Sequence, residues 1–109
     1  SDAQHMFFGR LPEEDNVVGA CSLEKRSESG LYAITYLTHP DFEGRRVATT
    51  LAAHAVNFAK KKPNITTLNA AVKEGSVDER VVQRLGFLYD WDVVDGGRRT
   101  NMYQLDTSK

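Results

Sequence analysis

Residues 37–51, LTHPDFEGRRVATTL, decide the fold: an extended stretch stops at Pro40, and a helical repeat begins beside a glycine and two adjacent arginines. Upstream, LYAITYLT (31–38) has the β-branched and aromatic content of a strand. It is apolar on both faces, so a central place in a sheet is expected. Downstream from Gly44, Val47, Leu51, Ala55 and Phe58 recur at steps of four, four and three, which is one face of a helix. Arg46, Thr50, Asn57 and Lys61 take the opposite side. Lys60 to Lys62 suit the negative end of the helix dipole as a solvated helix end, and Pro63 stops the helix. ITTLNAAV (65–72) reads as the next strand. A right-handed crossover then sets strands 31–38 and 65–72 side by side in parallel.

Around this unit the chain alternates short apolar runs with polar turns. HMFFGRL (5–11) reads as a strand interrupted at Gly9, and VVGACSLEK (17–25) as a second, so the first three strands form an antiparallel meander. Ser76 and Glu79 fit a capping box, with the carboxylate reaching back to the cap. Val77, Val81, Val82 and Leu85 form the expected buried face of that second helix, which ends at Gly86. FLYDWDVV (87–94) and TNMYQL (100–105) flank DGGRR, a hairpin signal. The predicted order is β-β-β-α-β-α-β-β: an α/β fold with a mixed, mostly antiparallel sheet.

The totals bound the function. At 109 residues, a single domain over 1–109 is expected. Fourteen basic and 15 acidic side chains leave a net charge of −1, so no general attraction to nucleic acid or an anionic membrane is expected. Any anion site must be local. Cys21 is the single cysteine, which excludes an internal disulfide and cannot build a metal cluster; no metal site is expected. No apolar run approaches the roughly 18 residues of a membrane span, and the start SDAQHMFFGR lacks a basic-then-apolar leader. A cytoplasmic setting is the expectation, with Ser1 to Ala3 read as a tag remnant.

The start of the first helix is where such a local site belongs. The first N–H groups of a helix have no intrahelical partner, and the dipole places about half a positive charge there. Gly44 lets the backbone approach a ligand, and Ala48 keeps the first inner turn small. Arg45 and Arg46 add permanent charge suited to bidentate phosphate contacts. The competing explanation is a surface helix with solvated arginines. Yet basic residues in a first turn oppose the dipole at about 0.3–1 kcal/mol each, an unfavourable choice without a ligand.

That run, followed one strand later by VKEGSVDERVVQRLGF (72–87), resembles the GCN5-related N-acetyltransferases. In that family a Gln/Arg-x-x-Gly-x-Gly/Ala loop cradles the pyrophosphate of acetyl-CoA. Glu43 takes the first position here, Arg46 the central glycine and Ala48 the last small residue. Gly75 stands where an asparagine is common, and Gly86 and Phe87 match the family's Gly-Phe pair. The resemblance implies a central parallel pair that splays apart, with pantetheine lying between the strands against Tyr36, Leu37 and Thr38. It implies a pyrophosphate cradle over Glu43, Gly44, Arg45, Arg46, Val47, Ala48 and Thr49, with Arg46 in ordinary helical dihedrals. The activity implied is acetyl transfer from acetyl-CoA to an amine. The alternative is a noncatalytic CoA-binding or protein-interaction module.

Catalytic residues are less well marked. Val82 stands where many family members carry a tyrosine acid, and Tyr32 where some carry a glutamate. Tyr32 and Ser76 remain candidates, against the plainer roles of core aromatic and helix cap. His39 follows the third strand, and His54 is expected at the border of helix and sheet. Cys21, Tyr89, Trp91 and Tyr103 are expected to pack the sheet, with Arg98 and Arg99 solvated at a hairpin tip. The family's first strand and two acceptor-side helices have no counterpart before His5. That leaves a shortened member with an open cleft, a piece of a longer chain, or a wall supplied by a second subunit. A homodimer is favoured, with acyl-CoA and an amine as ligands and neither nucleic acid nor membrane as partner.

Overall fold

The computed structural model describes residues 3–13, 15–27, 29–42 and 46–108. Strands β1 (Gln4–Gly9), β2 (Gly19–Lys25) and β3 (Leu31–Thr38) are followed by a 3₁₀ turn, Pro40–Phe42, and by helix α1 (Val47–Lys60). Strand β4 (Thr67–Lys73), helix α2 (Val77–Arg84) and strands β5 (Leu88–Asp95) and β6 (Arg98–Asp106) follow. The predicted order of elements holds, with ends displaced by one to three residues. β1 stops at Gly9 instead of resuming beyond it, and α1 starts three residues after Gly44.

One six-stranded sheet runs in the order β1-β2-β3-β4-β6-β5. Every neighbouring pair is antiparallel except β3 with β4. This mixed α/β arrangement, with one parallel pair joined across α1, is the predicted architecture. Paired residues share a face of a sheet, and pairing puts Cys21 beside Tyr36, Leu23 beside Ile34 and Ala70 beside Tyr103. Both helices cover that face. Val47, Leu51, Ala52 and Ala55 of α1 and Val81 and Val82 of α2 are buried with it in one cluster.

Two glycines let α1 come low over the sheet. Gly9 and Gly19 are paired neighbours on β1 and β2. A methyl group on Gly19 would meet Val47 Cγ1 at 2.7 Å and the Leu37 carbonyl at 3.2 Å. One on Gly9 would meet Leu51 Cδ1 at 3.2 Å. The first turn of α1 therefore rests on bare backbone beside the end of β3, which fixes where that helix begins.

The opposite face of the sheet is bare of helices among the described residues. Met6, Phe8, Leu37, Leu88, Trp91 and Val93 stand exposed there. Tyr103 packs into the core as expected, but Tyr89 and Trp91 are about half exposed, at 53% and 51%. They lie on β5, an edge strand with no neighbour beyond it to bury them. No helix among the described residues is long and apolar enough to cross a membrane.

Candidate functional site

The parallel pair is short. β3 and β4 are in register only at Leu31 with Thr67, Tyr32 with Leu68 and Ala33 with Asn69. β3 nevertheless continues to Thr38 and β4 to Lys73. Past Ala33 the two strands diverge, so among the described residues the β4-facing edge of β3 from Ile34 onward has no strand beside it. An unpaired strand edge offers alternating N–H and C=O groups to any extended ligand.

A groove of about 550 Å³ opens at this divergence. Tyr36, Leu37 and Thr38 of β3 line it, with Phe42 of the 3₁₀ turn and Arg46, Val47, Ala48 and Thr49 at the start of α1. Ser76 and the α2 residues Val77, Asp78, Arg80, Val81 and Arg84 complete the lining. Of the ligand-contacting positions expected from sequence, all seven described ones are here. Glu43, Gly44 and Arg45 lie outside the described residues.

The start of α1 differs from expectation in one respect. Arg46 is the N-cap and adopts φ 63°, ψ 18°, left-handed and not helical. α1 begins only at Val47, so Arg46 is the residue that turns the chain into the helix. A side chain with a Cβ holds that conformation at about 1–2 kcal/mol. The Arg46 side chain makes no cap hydrogen bond. The first bond onto the cap runs from the Thr50 N–H to the Arg46 carbonyl at 3.0 Å. The N–H groups of Val47, Ala48 and Thr49 therefore have no intrahelical acceptor. A left-handed residue leading into right-handed ones gathers successive N–H groups into an anion-binding concavity.

Tyr36 spans the groove. Its hydroxyl donates to the Asp78 carbonyl at 2.9 Å, tying β3 to the first turn of α2. Burial, and after it the charges of Asp78 and Cys21, push the phenol well above the usual tyrosine range, so it stays protonated. Ser76 is occupied as a cap, donating to the Lys73 carbonyl at 2.6 Å and accepting the Glu79 N–H at 3.1 Å. Glu79 reaches one residue further back than a capping box requires, accepting the Gly75 N–H at 2.8 Å. Its other oxygen accepts from Asn101 Nδ2 at 2.6 Å and the Tyr103 hydroxyl at 3.0 Å. The Asn101 bond first, then that from Gly75, holds this carboxyl below its ordinary pKa.

The structure places the other candidates elsewhere. Tyr32 is completely buried, its hydroxyl accepting from Asn64 Nδ2 at 3.2 Å and its ring stacked on His5, so it does not line the groove. His39 Nδ1 accepts the Asp41 N–H within the 3₁₀ turn and is also outside the lining. Cys21 is a buried core thiol pushed up to about 12 by burial. His54 is exposed on α1, away from the expected helix–sheet border. Arg99 is not simply solvated, because it meets Asp92 at 3.1 Å and Glu74 at 3.7 Å.

Sequence reasoning missed the α2 wall. Val77, assigned to the core, is 61% exposed and faces the groove. The available signal was the spacing of Val77, Arg80, Val81 and Arg84, at i, i+3, i+4 and i+7, which puts two arginines on one stripe.

The model of the acetyltransferase (GNAT) family matches residues 1–87. Among solved structures, the ribosomal-protein-S5-alanine acetyltransferase from Vibrio fischeri superposes with a TM-score of 0.86 at 13% identity, over 98% of this chain and 63% of that one. A variant of the spermidine N-acetyltransferase SpeG from Vibrio cholerae gives 0.82 at 16% identity, over 98% and 68%. A GNAT-family acetyltransferase from Bacillus anthracis gives 0.79 at 16%, over 95% and 67%. At these identities the likeness shows the fold. Comparison with curated proteins returned no match. The family match covers 87 of 109 residues and takes in every element that lines the groove; the chain belongs to the acetyltransferase (GNAT) family.

Proposed function

We propose that this chain binds acetyl-CoA in the groove and transfers the acetyl group directly to an amine. The observation that carries the proposal is the early end of β3–β4 pairing at Ala33, which leaves a strand edge leading to a helix start with no cap bond from the Arg46 side chain. Pantetheine is an extended chain with two amides, and the edge at Tyr36, Leu37 and Thr38 supplies their counterparts. The amides of Val47, Ala48 and Thr49, beside Arg46, suit the pyrophosphate, as does the segment 43–45 that precedes them. An edge N–H directed at the thioester oxygen would stabilise the charge of the tetrahedral intermediate. Much of the acceleration then comes from holding amine and thioester together.

Tyr36 is a poor acid toward a departing thiolate. Its pKa is raised, whereas an ordinary thiol sits near 8.5, so that transfer would run uphill. It serves better as a neutral donor that orients ligand or α2. Asp78 contributes the one carboxylate among the described groove residues, and an amine approaching it would lose its proton there or through water.

A noncatalytic CoA-binding module is favoured by one specific feature: Val82 and Tyr32, at the family's acid and base positions, are both buried away from the groove. Calorimetric titration with acetyl-CoA, followed by a thiol-release assay over a panel of amines, separates the two. Binding with release on any amine supports the transferase, and binding without release supports the module. Absence of binding removes both. A cytoplasmic setting and a homodimer belong to the same proposal.

A further inference from the structure

Resting on the acetyl-transfer reading, we propose that the acceptor is an α-amino acid with an apolar side chain, its carboxylate held by Lys73 and its side chain by Leu37. The groove lies on the helix side of the sheet, where Tyr36 and α2 wall it. Direct transfer needs both substrates bound together. With pantetheine in the groove, the amine reaches the thioester from the helix-free face, through the gap between β3 and β4. Register sets the side chains that meet it there. Counted on from the last pair, Ala33 with Asn69, Thr35 and Ala71 face each other across the gap, then Leu37 and Lys73. Ala71 and Lys73 alternate with the core residues Ala70 and Val72, so they point away from the helices.

The chemistry of these two rows narrows the acceptor. Thr35 and Ala71 are small and exposed, which leaves the gap open. Pairing extends the rows outward through Ser22, Ala20, Met102 and Thr100, and none of these is charged. Lys73 is the one charge beside the gap; it is exposed and, among the described residues, forms no ion pair. The next row, at the hairpin tip, pairs Asp95 with Arg98, whose charges offset each other. A polyamine is poorly served, because its second ammonium finds no carboxylate in these rows and meets Lys73. An amine with a carboxylate close by gains a charge-assisted bond to Lys73. An apolar body covers Leu37, which is 70% exposed. An α-amino acid carries both on the carbon beside its nitrogen, so one short molecule spans the two banks of the gap. Its ammonium first gives a proton to solvent. The nitrogen then bonds the thioester carbon, the C–S bond breaks, and a second proton passes from nitrogen to the departing CoA thiolate.

The test measures thiol release from acetyl-CoA with leucine and phenylalanine, each beside its carboxamide, and with glycine and spermidine. Wild type and Lys73→Gln are compared, with calorimetry of acetyl-CoA alongside. In the wild type, kcat/KM for the better apolar amino acid is expected to exceed that for its carboxamide, glycine and spermidine by at least about 10-fold. Lys73→Gln should bring the amino acid to within about 3-fold of its carboxamide, with acetyl-CoA bound as in the wild type. Equal use of amino acid and carboxamide, a preference for glycine or spermidine, a variant that keeps the wild-type ratio or loses only acetyl-CoA affinity, or acetyl-CoA binding with no release on any of these amines would overturn the proposal. A wild type that does not bind acetyl-CoA instead overturns the reading beneath it.

Discussion

Arg46 holds φ 63° at the point where the chain enters α1, and its side chain makes no cap hydrogen bond to the helix. Glycine would hold that conformation without a Cβ clash and would remove a cation from the positive end of the dipole. Arg46→Gly is therefore expected to stabilise the fold by about 0.5–1.5 kcal/mol while weakening acetyl-CoA. Chemical denaturation beside calorimetry measures both. A variant that is less stable yet binds acetyl-CoA as well as the wild type would show that neither strain nor charge acts at Arg46 as argued. The arginine itself was legible as a groove residue because two basic residues at a helix start are out of place. Its backbone was not. Sequence periodicity places a helix start only to within a few residues, and here that margin separates a first-turn residue from a left-handed cap.

At the scale of elements, two contacts fix the walls of the groove. α1 rests on Gly19, where an added methyl meets the stiff Val47 side chain at 2.7 Å and a backbone carbonyl at 3.2 Å. Gly19→Ala should destabilise by about 1–3 kcal/mol and weaken acetyl-CoA as the start of α1 shifts. Unchanged thermal stability and affinity would contradict this. α2 is held by Glu79, whose carboxylate joins Gly75, Asn101 and Tyr103. Solvent reaches this carboxylate, so Glu79→Gln should cost about 1–2 kcal/mol at neutral pH. Its folded pKa is lowered, so its contribution is complete above the ordinary carboxylate value of about 4.3 and is lost as pH falls through the folded value below that. Denaturation across pH 3–7 should show a shallower acid limb in the variant. Parallel profiles would contradict the role. The Ser76–Glu79 signature was readable because capping is a local pattern. The bonds from Asn101 and Tyr103 were not, since they depend on where β6 lands.

Across the whole molecule, the helix-free sheet face presents Met6, Phe8, Leu37, Leu88, Trp91 and Val93 to solvent. These residues lie mostly on β1 and β5, the two edges of the sheet, and exposed apolar surface at sheet edges is commonly covered by association. Sedimentation velocity should show a species of twice 12.2 kDa growing with concentration, and a single 12.2 kDa species throughout would remove the dimer. The order of elements and the parallel pair were legible in the residues, and the splay only through the family resemblance. The order and the pair follow from a central apolar strand, a glycine-bounded helix and the handedness of crossovers. The exposure of Tyr89 and Trp91 was not legible, because aromatic content marks β5 as a strand without telling whether it lies inside the sheet or at its edge.

The central claim is that the edge of β3, the start of α1 and the wall of α2 together hold acetyl-CoA. Titration of the ¹⁵N-labelled protein with acetyl-CoA, followed by amide shifts, tests it most directly. The largest changes should fall on Tyr36 to Thr38, Arg46 to Thr49 and Ser76 to Val81. Saturating changes centred instead on Lys60 to Lys62 and Thr107, or none anywhere, would contradict it.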